Sequence, residues 1–270
     1  MPYLVYWVNA FTEQLFHGNP AAVVMVDDFP QETFMQKMAH EFNLSETAFV
    51  KRLGFGKYAI RWFTPVTEVY LCGHATLGAA KAMFHDLIPQ EKVILFQSKA
   101  GELSARRQGN EISLDFPLDI PYKIEADSTL LKNFGETKAE EILYAPKTKN
   151  LIVVYSDAIT VQTLKPDFAN LALFRTDKIS GIAVTAKSTG KYDYICRYFA
   201  PWEGITEDPV TGSAQTFLAP YWCTRLGKKE LAGFQASARG GEFKVCVTEE
   251  RVLISGKAII FLKGELKRGF

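Results

Sequence analysis

The sequence is poor in cysteine, and its cysteines lack the spacing of a metal site or a disulfide framework. All four stand apart, with no CxxC motif among them: Cys72, Cys196, Cys223 and Cys246. Structural zinc sites and small disulfide-stapled domains both depend on paired cysteines. We therefore expect no bound metal and a reducing, cytoplasmic location.

An excess of charge of one sign is missing as well, as are long apolar runs. Lys and Arg number 31 against 30 Asp and Glu, so the formal net charge is only +1. This balance argues against nucleic acid or an anionic membrane surface as a partner. The apolar runs stay below the roughly 18 residues that a membrane-spanning helix needs, and the first residues do not resemble a signal peptide. A small molecule is the expected partner.

The common motifs for nucleotide cofactors, catalytic zinc and activated serine are absent too. The sequence contains no GxGxxG after a predicted strand, no GxxxxGK[ST], no HExxH and no GxSxG. Each of these motifs places backbone N–H groups, metal ligands or a nucleophile at a fixed spacing. We therefore expect no cofactor.

What is present predicts an α+β protein with many more strands than helices. With 270 residues, 47% of them hydrophobic, the chain can form one large core or two of ordinary size. Two helices are predicted in the first half, over residues 30–43 and, from small residues, over residues 71–80. The apolar face of the first helix consists of Phe34, Met35, Met38 and Phe42. The predicted strands cover residues 3–8, 21–26, 44–50, 58–63, 93–97, 102–106 and 111–116.

The second half of the sequence repeats the first. Arg61-Trp62-Phe63-Thr64-Pro65 is matched 136 residues later by Arg197-Tyr198-Phe199-Ala200-Pro201. Further on, Gln97 and Gly101 correspond to Gln235 and Gly241, and these glycines are offset by 140 residues. We infer an internal duplication into two similar domains, residues 1–118 and residues 119–270. Two such halves leave a cleft between them, where small ligands usually bind.

Each half contains a predicted helix start that is suited to binding an anion. Gly73 and His74 open the helix predicted at residues 71–80, and Asp208, Gly212 and Ser213 lie around the start of a helix predicted in the second half. Free N–H groups and the helix dipole at such a position favour a carboxylate or a developing oxyanion. Their residue types also allow a structural role, with His74 as a core or capping residue, Asp208 in a turn and Ser213 as a helix cap.

Cys72 stands directly before the first of these helix starts. A thiol there can be activated as a base or nucleophile, although a small buried cysteine is the commoner case. Racemases that use two thiols need a second cysteine at the opposite helix start, and residues 206–214 contain none. A two-thiol mechanism is therefore not expected.

Six motifs together resemble the PhzF-like, or phenazine biosynthesis-like, protein family, in the family's order and over nearly the whole chain. They are Gly18-Asn19-Pro20-Ala21-Ala22-Val23, Leu44-Ser45-Glu46-Thr47-Ala48-Phe49, Arg61-Trp62-Phe63-Thr64-Pro65, Leu71-Cys72-Gly73-His74-Ala75-Thr76-Leu77-Gly78, Glu207-Asp208-Pro209-Val210-Thr211-Gly212-Ser213-Ala214 and residues 235–241. The resemblance implies the diaminopimelate epimerase-like fold. That fold is α+β, with two similar domains, each a mostly antiparallel β-barrel wrapped around a central α-helix.

The resemblance also implies an isomerase that moves a proton on a small carboxylate-bearing substrate without metal or organic cofactor. Glu46, which by pattern alone is a solvated carboxylate, would be the general base, and His74 and Asp208 would complete the catalytic set. Substrate binding would fall to Gly73, Gly212 and Ser213. A homodimer is implied in the same way.

Two alternatives stay open. One is a single-base or Cys72-assisted epimerase or racemase, and the other is a protein that has kept the fold only to bind a ligand or a partner. Gln215 stands where many members of the family have His, which leaves the edge of the site open. Membership of a family does not fix the substrate, because a fold can outlast a change of reaction.

Overall fold

The structure is a computed structural model that describes residues 2–125, 128–134, 138–173 and 178–267. The chain divides into two compact units. Unit 1 comprises Met1–Phe116 together with Leu253–Phe270, and unit 2 comprises Pro117–Val252. The sequence prediction assigns all of residues 119–270 to the second domain, whereas in the structure Leu253–Phe270 belong to unit 1. The cause is the last strand of the chain, which pairs with the first.

Unit 1 is built mainly of strands, with two α-helices. Its elements are β1 (Tyr3–Ala10), β2 (Asn19–Val26), α1 (Glu32–Phe42), β3 (Glu46–Gly54), β4 (Lys57–Phe63), β5 (Glu68–Val69), α2 (Gly73–Ala82), β6 (Val93–Ser98), β7 (Gly101–Gln108) and β8 (Glu111–Pro117), with a π-helical turn at Met83–Leu87. The strand β18 (Ala258–Leu266) completes the unit at the end of the chain.

Helix α2 is the centre of unit 1. Nine of its ten residues are buried, and it packs against β1, β2, β3 and β18. Small side chains make this possible, because they let the strands approach the helix backbone on several sides. A Cβ added at Gly78 would lie 3.4 Å from Val8 Cβ. The predicted arrangement of strands around a small-residue helix is therefore present in unit 1.

Unit 2 contains further strands and four α-helices among the described residues. They are β9 (Tyr122–Lys123), α3 (Ser128–Lys132), β10 (Glu141–Ala145), β11 (Asn150–Tyr155), α4 (Ala158–Thr163), α5 (Phe168–Leu173), β12 (Gly181–Lys187), β13 (Tyr194–Ala200), β14 (Ile205–Asp208), α6 (Gln215–Leu226), β15 (Glu230–Gln235), β16 (Gly241–Val247) and β17 (Arg251–Gly256), the last of which runs on into unit 1. A 3-10 turn covers Pro201–Glu203.

Helix α6 contains a proline in its interior. Pro220 has no N–H to bond the carbonyl of Thr216, one turn earlier in the helix. The backbone N–H of Asp119 donates to that carbonyl instead, at 3.1 Å. The helix therefore continues through Pro220, and the carbonyl left free by the proline connects the helix to Asp119 at the start of unit 2.

The two units repeat one pattern of strand pairing. In unit 1, β1–β2, β3–β4, β4–β5 and β6–β7 are antiparallel, while β2–β3 and β4–β6 are parallel. In unit 2, β10–β11, β12–β13, β13–β14 and β15–β16 are antiparallel, while β11–β12 and β13–β15 are parallel. This correspondence confirms the duplication that the sequence indicates.

One of the sequence matches is wrong by one residue. In unit 1, Ser98 pairs with Gly101 across the β6–β7 hairpin, and in unit 2 Gln235 pairs with Gly241. The structural counterpart of Gln235 is therefore Ser98 and not Gln97. Successive strand residues face opposite sides of a sheet, and Gln97 is accordingly exposed whereas Gln235 is buried.

The predicted elements of unit 1 are present with small changes at their ends. Helix α1 begins at Glu32 rather than at residue 30, and Asn43 ends it in the left-handed conformation, with φ 48°. On its predicted apolar face Met35 and Met38 are buried, but Phe34 is 42% exposed. Phe34 lies against Tyr3 with ring centroids 6.3 Å apart. Among the described residues, no helix is long and apolar enough to cross a membrane.

Candidate active site

A buried acid–base pair lies at the start of α2. Glu46 is the first residue of β3 and His74 the second residue of α2, and Glu46 Oε2 lies 2.8 Å from His74 Nε2. Both side chains are buried, with exposed fractions of 11% for Glu46 and 3% for His74. The structure thus brings Glu46 and His74 together, and the surface position suggested for Glu46 by pattern alone is wrong.

Two neighbours hold the other side of the imidazole ring. The side-chain amide nitrogen of Asn19 lies 3.0 Å from His74 Nδ1, and Cys72 Sγ lies 3.6 Å from the same atom. Asn19 is buried at the first position of β2, which runs beside β3. If His74 is cationic, the Asn19 amide must be turned over so that its oxygen accepts from Nδ1–H.

The pKa of His74 lies well above its ordinary value. Burial lowers it, but the contacts with Cys72 and Glu46 outweigh burial and favour the cation. Burial raises the pKa of the Cys72 thiol to about 11, and Glu46 adds to the rise. Since that thiol is protonated near neutral pH, the carboxylate of Glu46 is the partner that sustains the charge on His74.

Gly73 is the first residue of α2, and Cys72 is its extended N-cap. The Cys72 carbonyl accepts a hydrogen bond from the Thr76 hydroxyl at 2.5 Å. The backbone N–H groups of the first helical turn have no partner within the helix and are oriented for an anion. Gly73 therefore has the position that the prediction of substrate binding requires.

Asp208 lies in unit 2, at the end of β14, and is buried. Its Oδ2 accepts a short hydrogen bond from the Thr211 hydroxyl. Gln235 fixes the same segment, because its Nε2 donates to the Asp208 carbonyl at 2.7 Å and its Oε1 accepts from the Thr211 N–H at 2.8 Å. Asp208 is thus held in place on both its side chain and its backbone.

Gly212 and Ser213 lie just before a helix, close to the helix start that the sequence predicts around them. With Ala214 they form a turn, and α6 begins at Gln215. The turn is stabilised by hydrogen bonds from Gln215 N to Gly212 O and from Thr216 N to Ser213 O, both 3.1 Å. These i to i+3 bonds are the tighter pattern that is common at the N-terminus of an α-helix.

Gln215 is fully buried and part of a polar network in unit 2. Its Oε1 accepts from the Tyr194 hydroxyl at 2.6 Å, and its Nε2 donates to the Thr211 carbonyl at 3.2 Å. In this chain the residue therefore supports the segment that carries Asp208.

Sequence reasoning missed three residues that shape these sites: Asn19, Thr211 and Gln235. Each is a polar residue at a position that turns out to be buried. In the sequence Asn19 appears only as one residue of the motif Gly18-Asn19-Pro20-Ala21-Ala22-Val23, with no role of its own, whereas in the structure it is the first residue of β2. Buried polar side chains are normally hydrogen-bonded, but the residue type of one position in a sequence does not show whether that position is buried.

The structure also groups three potential metal ligands. One ligand atom each from Glu46, Cys72 and His74 lie within 4.8 Å of one another, and all three residues are buried. The expectation of no metal site depends on local cysteine spacing. That spacing could not reveal this group, because Glu46 comes from a different strand.

Comparison with known proteins gives concordant results. Residues 8–264 match the sequence profile of the family described as phenazine biosynthesis-like protein. A protein of Pseudomonas aeruginosa named as an uncharacterized isomerase is 44% identical over 266 residues, which cover 98% of this chain and 99% of that protein. The crystal structure of a protein of the PhzF family from Enterococcus faecalis has 40% identity and a TM-score of 0.91, covering 99% of this chain and 100% of the other.

A more distant likeness concerns the fold alone. A hydroxyproline epimerase of Agrobacterium vitis, crystallised with trans-4-hydroxy-L-proline, has a TM-score of 0.64 at 10% identity, covering 98% of this chain and 92% of that one. Together with the strand pairing, this confirms the predicted α+β fold of the epimerase type.

Proposed function

The chain belongs to the phenazine biosynthesis-like protein family, and from that premise we propose that it is an isomerase that moves a proton on a small carboxylate-bearing metabolite. The observation that carries the proposal is the buried Glu46–His74 pair at the N-terminus of α2. Close relatives named as isomerases support the reaction class, and the substrate is left at the level of its chemical class.

In the proposed reaction Glu46 takes a proton from a carbon next to an unsaturated group. The same carboxyl group returns a proton at another carbon of the conjugated system, so that the reaction consumes no net proton or electron. The proton held on Glu46 can be replaced from solvent before it is returned. His74, held cationic beside Glu46, would stabilise the negative charge that develops on the substrate.

The remaining predicted residues are assigned to the substrate. The N–H groups at Gly73 would bind its carboxylate. Asp208 would support the proton transfer, and Gly212 and Ser213 would bind the substrate through the turn before α6. The homodimer and the cytoplasmic location belong to the same proposal, and light scattering of the purified protein tests the first of them.

The decisive experiment follows exchange of substrate hydrogen for deuterium in heavy water. We expect Glu46→Gln to lower the exchange rate by about 100-fold to 10,000-fold, because an amide cannot act as the base. Glu41→Gln is the matched control, since Glu41 is exposed on α1. Full exchange in Glu46→Gln would remove Glu46 from the mechanism.

A Cys72-assisted epimerase is the second candidate, favoured by the 3.6 Å contact of Cys72 Sγ with His74. A thiol with a pKa of about 11 is better suited to giving a proton than to taking one. Inversion of a chiral substrate that is lost in Cys72→Ala would support this candidate. Unchanged turnover in that variant would exclude it.

The third alternative is a protein that binds without catalysis. It would gain support if ligands raised the melting temperature while no member of a broad carboxylate panel exchanged hydrogen. The buried Glu46–His74 pair speaks against it, because a module that only binds has no need of an ion pair that is costly to bury.

A further inference from the structure

We propose that Glu46, Cys72 and His74 form a binding site for Zn²⁺ in unit 1, and that the bound ion inhibits the protein. The binding itself stands on the three ligands alone. The inhibition rests on the proposed function, because the bound ion would occupy Glu46, the proposed general base.

The geometry of the three side chains is close to that of a zinc site. One ligand atom from each residue lies within 4.8 Å of the other two, and Glu46 Oε2 lies 2.8 Å from His74 Nε2. Cys72 Sγ contacts the other ring nitrogen, Nδ1, at 3.6 Å and has to move toward Nε2 to share the ion. Zinc bonds of about 2.0 to 2.3 Å in a tetrahedron put ligand atoms roughly 3.3 to 3.7 Å apart. Movements of the ligand atoms by about 1 Å would therefore bring all three within bonding distance of one ion.

A second observation concerns two buried atoms in the same place. Glu46 Oε2 and His74 Nε2 face each other at 2.8 Å as an ion pair, and neither has another partner among the described residues. The two residues are only 8% and 2% exposed. Buried polar atoms normally have partners, and an ion between them would supply one.

The environment of His74 resembles that of a metal-binding histidine. Ligating histidines usually have their second ring nitrogen fixed by a hydrogen bond, which sets the orientation of the ring. Here the Asn19 amide lies 3.0 Å from Nδ1, and with the amide turned over its oxygen would accept from Nδ1–H and leave Nε2 for the ion. Asn19 would therefore orient the imidazole for the ion without touching the ion itself.

The donor set selects zinc over the common alkaline-earth ions. A thiolate, an imidazole and a carboxylate are ligands that Zn²⁺ accepts in a tetrahedron, whereas Mg²⁺ and Ca²⁺ require six or more oxygen ligands. On binding, the Cys72 thiol and the His74 ring would each release a proton to solvent. The resulting thiolate and the Glu46 carboxylate would neutralise the ion, which suits a buried site. Three protein ligands leave the fourth position for water or for a substrate carboxylate.

Binding is tested with Co²⁺ as a spectroscopic probe on the purified full chain, treated first with a chelator. We expect one ion per chain and a near-ultraviolet band of thiolate-to-cobalt charge transfer, both displaced by Zn²⁺. Cys72→Ser should abolish the band and weaken Zn²⁺ binding at least about 10-fold. Cys223→Ser, which removes a thiol on α6, should leave both unchanged. Absence of the band, or its persistence in Cys72→Ser, would overturn the site.

A second variant guards against misfolding of the first. Glu46→Gln keeps the thiol and the imidazole, so it should retain the cobalt band while Zn²⁺ binding weakens. Zn²⁺ should also raise the melting temperature of the wild type, because a ligand of the folded state stabilises it. An equal Zn²⁺-induced rise in Glu46→Gln would show that the carboxylate is not a ligand.

Inhibition is tested separately from binding. Zn²⁺ should stop hydrogen exchange in the wild type, and a chelator should restore it fully. Loss of exchange on chelation would overturn the inhibitory role and make the ion a cofactor. Zinc binding in a protein that shows no exchange with any substrate would refute the proposed function and leave the metal site standing.

Discussion

At the scale of single residues, the feature that most needs explanation is the buried contact between Glu46 and His74. Two charges lose their hydration when they are buried, and their attraction only partly compensates for that loss. Such pairs often mark functional sites, because burial and a charged neighbour are the means by which a protein adjusts acid–base groups. The pair is therefore better explained by chemistry than by stability.

The raised pKa of His74 predicts how stability depends on pH. A histidine whose pKa is higher in the folded state stabilises the protein fully below its unfolded value of about 6.5, and this contribution is lost as the pH rises through the folded value. We expect chelator-treated wild type to lose its advantage in unfolding free energy over His74→Gln as the pH rises above about 6.5. Urea unfolding of both proteins across that range measures the difference.

His40→Gln is the control for this experiment, since His40 is exposed on α1. It should follow the wild-type pH profile. A constant difference between wild type and His74→Gln from below pH 6.5 upwards would show that His74 does not change its charge in this range.

The site could be predicted from the sequence only in part. The motifs identified Glu46, His74 and Asp208, because each stands in a short segment with a distinctive order of residues. They could not show that Asn19 contacts the imidazole of His74, since Asn19 lies on β2, 55 residues away in the sequence. Likewise, Gln235 can hold the Asp208 segment only because it is buried beside it, and burial cannot be read from one glutamine in a sequence.

At the scale of elements, the duplication includes an arginine–glutamate ion pair that occurs once in each unit. Arg61 binds Glu68 through Nε and Nη2 at 2.8 and 2.7 Å, and Arg197 binds Glu207 in the same way at 2.7 and 2.9 Å. Each guanidinium also lies over the phenylalanine two residues later, at 5.2 and 5.1 Å. The repeated Arg-x-Phe of the sequence thus corresponds to a repeated contact that ties β4 to β5 and β13 to β14.

The two arginines differ in burial, and this predicts different costs of mutation. Arg197 also donates to the carbonyls of Val161 and Leu164, and its side chain is 10% exposed against 20% for Arg61. We expect Arg197→Gln to lower the unfolding free energy by about 3 kcal/mol and Arg61→Gln by about 1 kcal/mol. Chemical denaturation of the two variants side by side measures the order, and a larger loss for Arg61→Gln would contradict it.

Gln235 is the corresponding test for unit 2. Gln235→Leu keeps the volume but leaves the Thr211 N–H and the Asp208 carbonyl without this partner, so we expect a loss of about 2 kcal/mol in unfolding free energy. Gln97→Leu is the matched control, because Gln97 is exposed at the end of β6, and it should change stability by less than about 0.5 kcal/mol. Equal effects of the two substitutions would refute a special role for Gln235.

At the scale of the whole molecule, unit 1 is discontinuous in the sequence. Its strand β18 pairs with β1 from Tyr3 to Ala10, and β1 pairs with β2 on its other side. Sequence patterns predicted most strands of this unit but not their partner from the end of the chain. A pattern of alternating residues shows that a strand is half-buried, and it contains no information on which strand lies beside it.

The discontinuity predicts unequal behaviour of fragments. A fragment of residues 1–118 leaves the β1 edge open, and unpaired apolar edges promote aggregation. We expect it to be insoluble or to lack a cooperative unfolding transition, whereas residues 117–252 unfold cooperatively. Circular dichroism during thermal denaturation checks both fragments, and cooperative unfolding of the 1–118 fragment would show that β18 is dispensable.

The position of β18 has a further consequence for synthesis in the cell. Glu46 and His74 leave the ribosome early, but the strand that completes their unit is translated after all of unit 2. Unit 2 can therefore reach its native state first, contrary to the usual order in which N-terminal domains fold before later ones. The unit that holds the acid–base pair is complete only on chains that have been translated as far as β18, so a chain that stops short of that strand lacks a complete unit around its reactive groups.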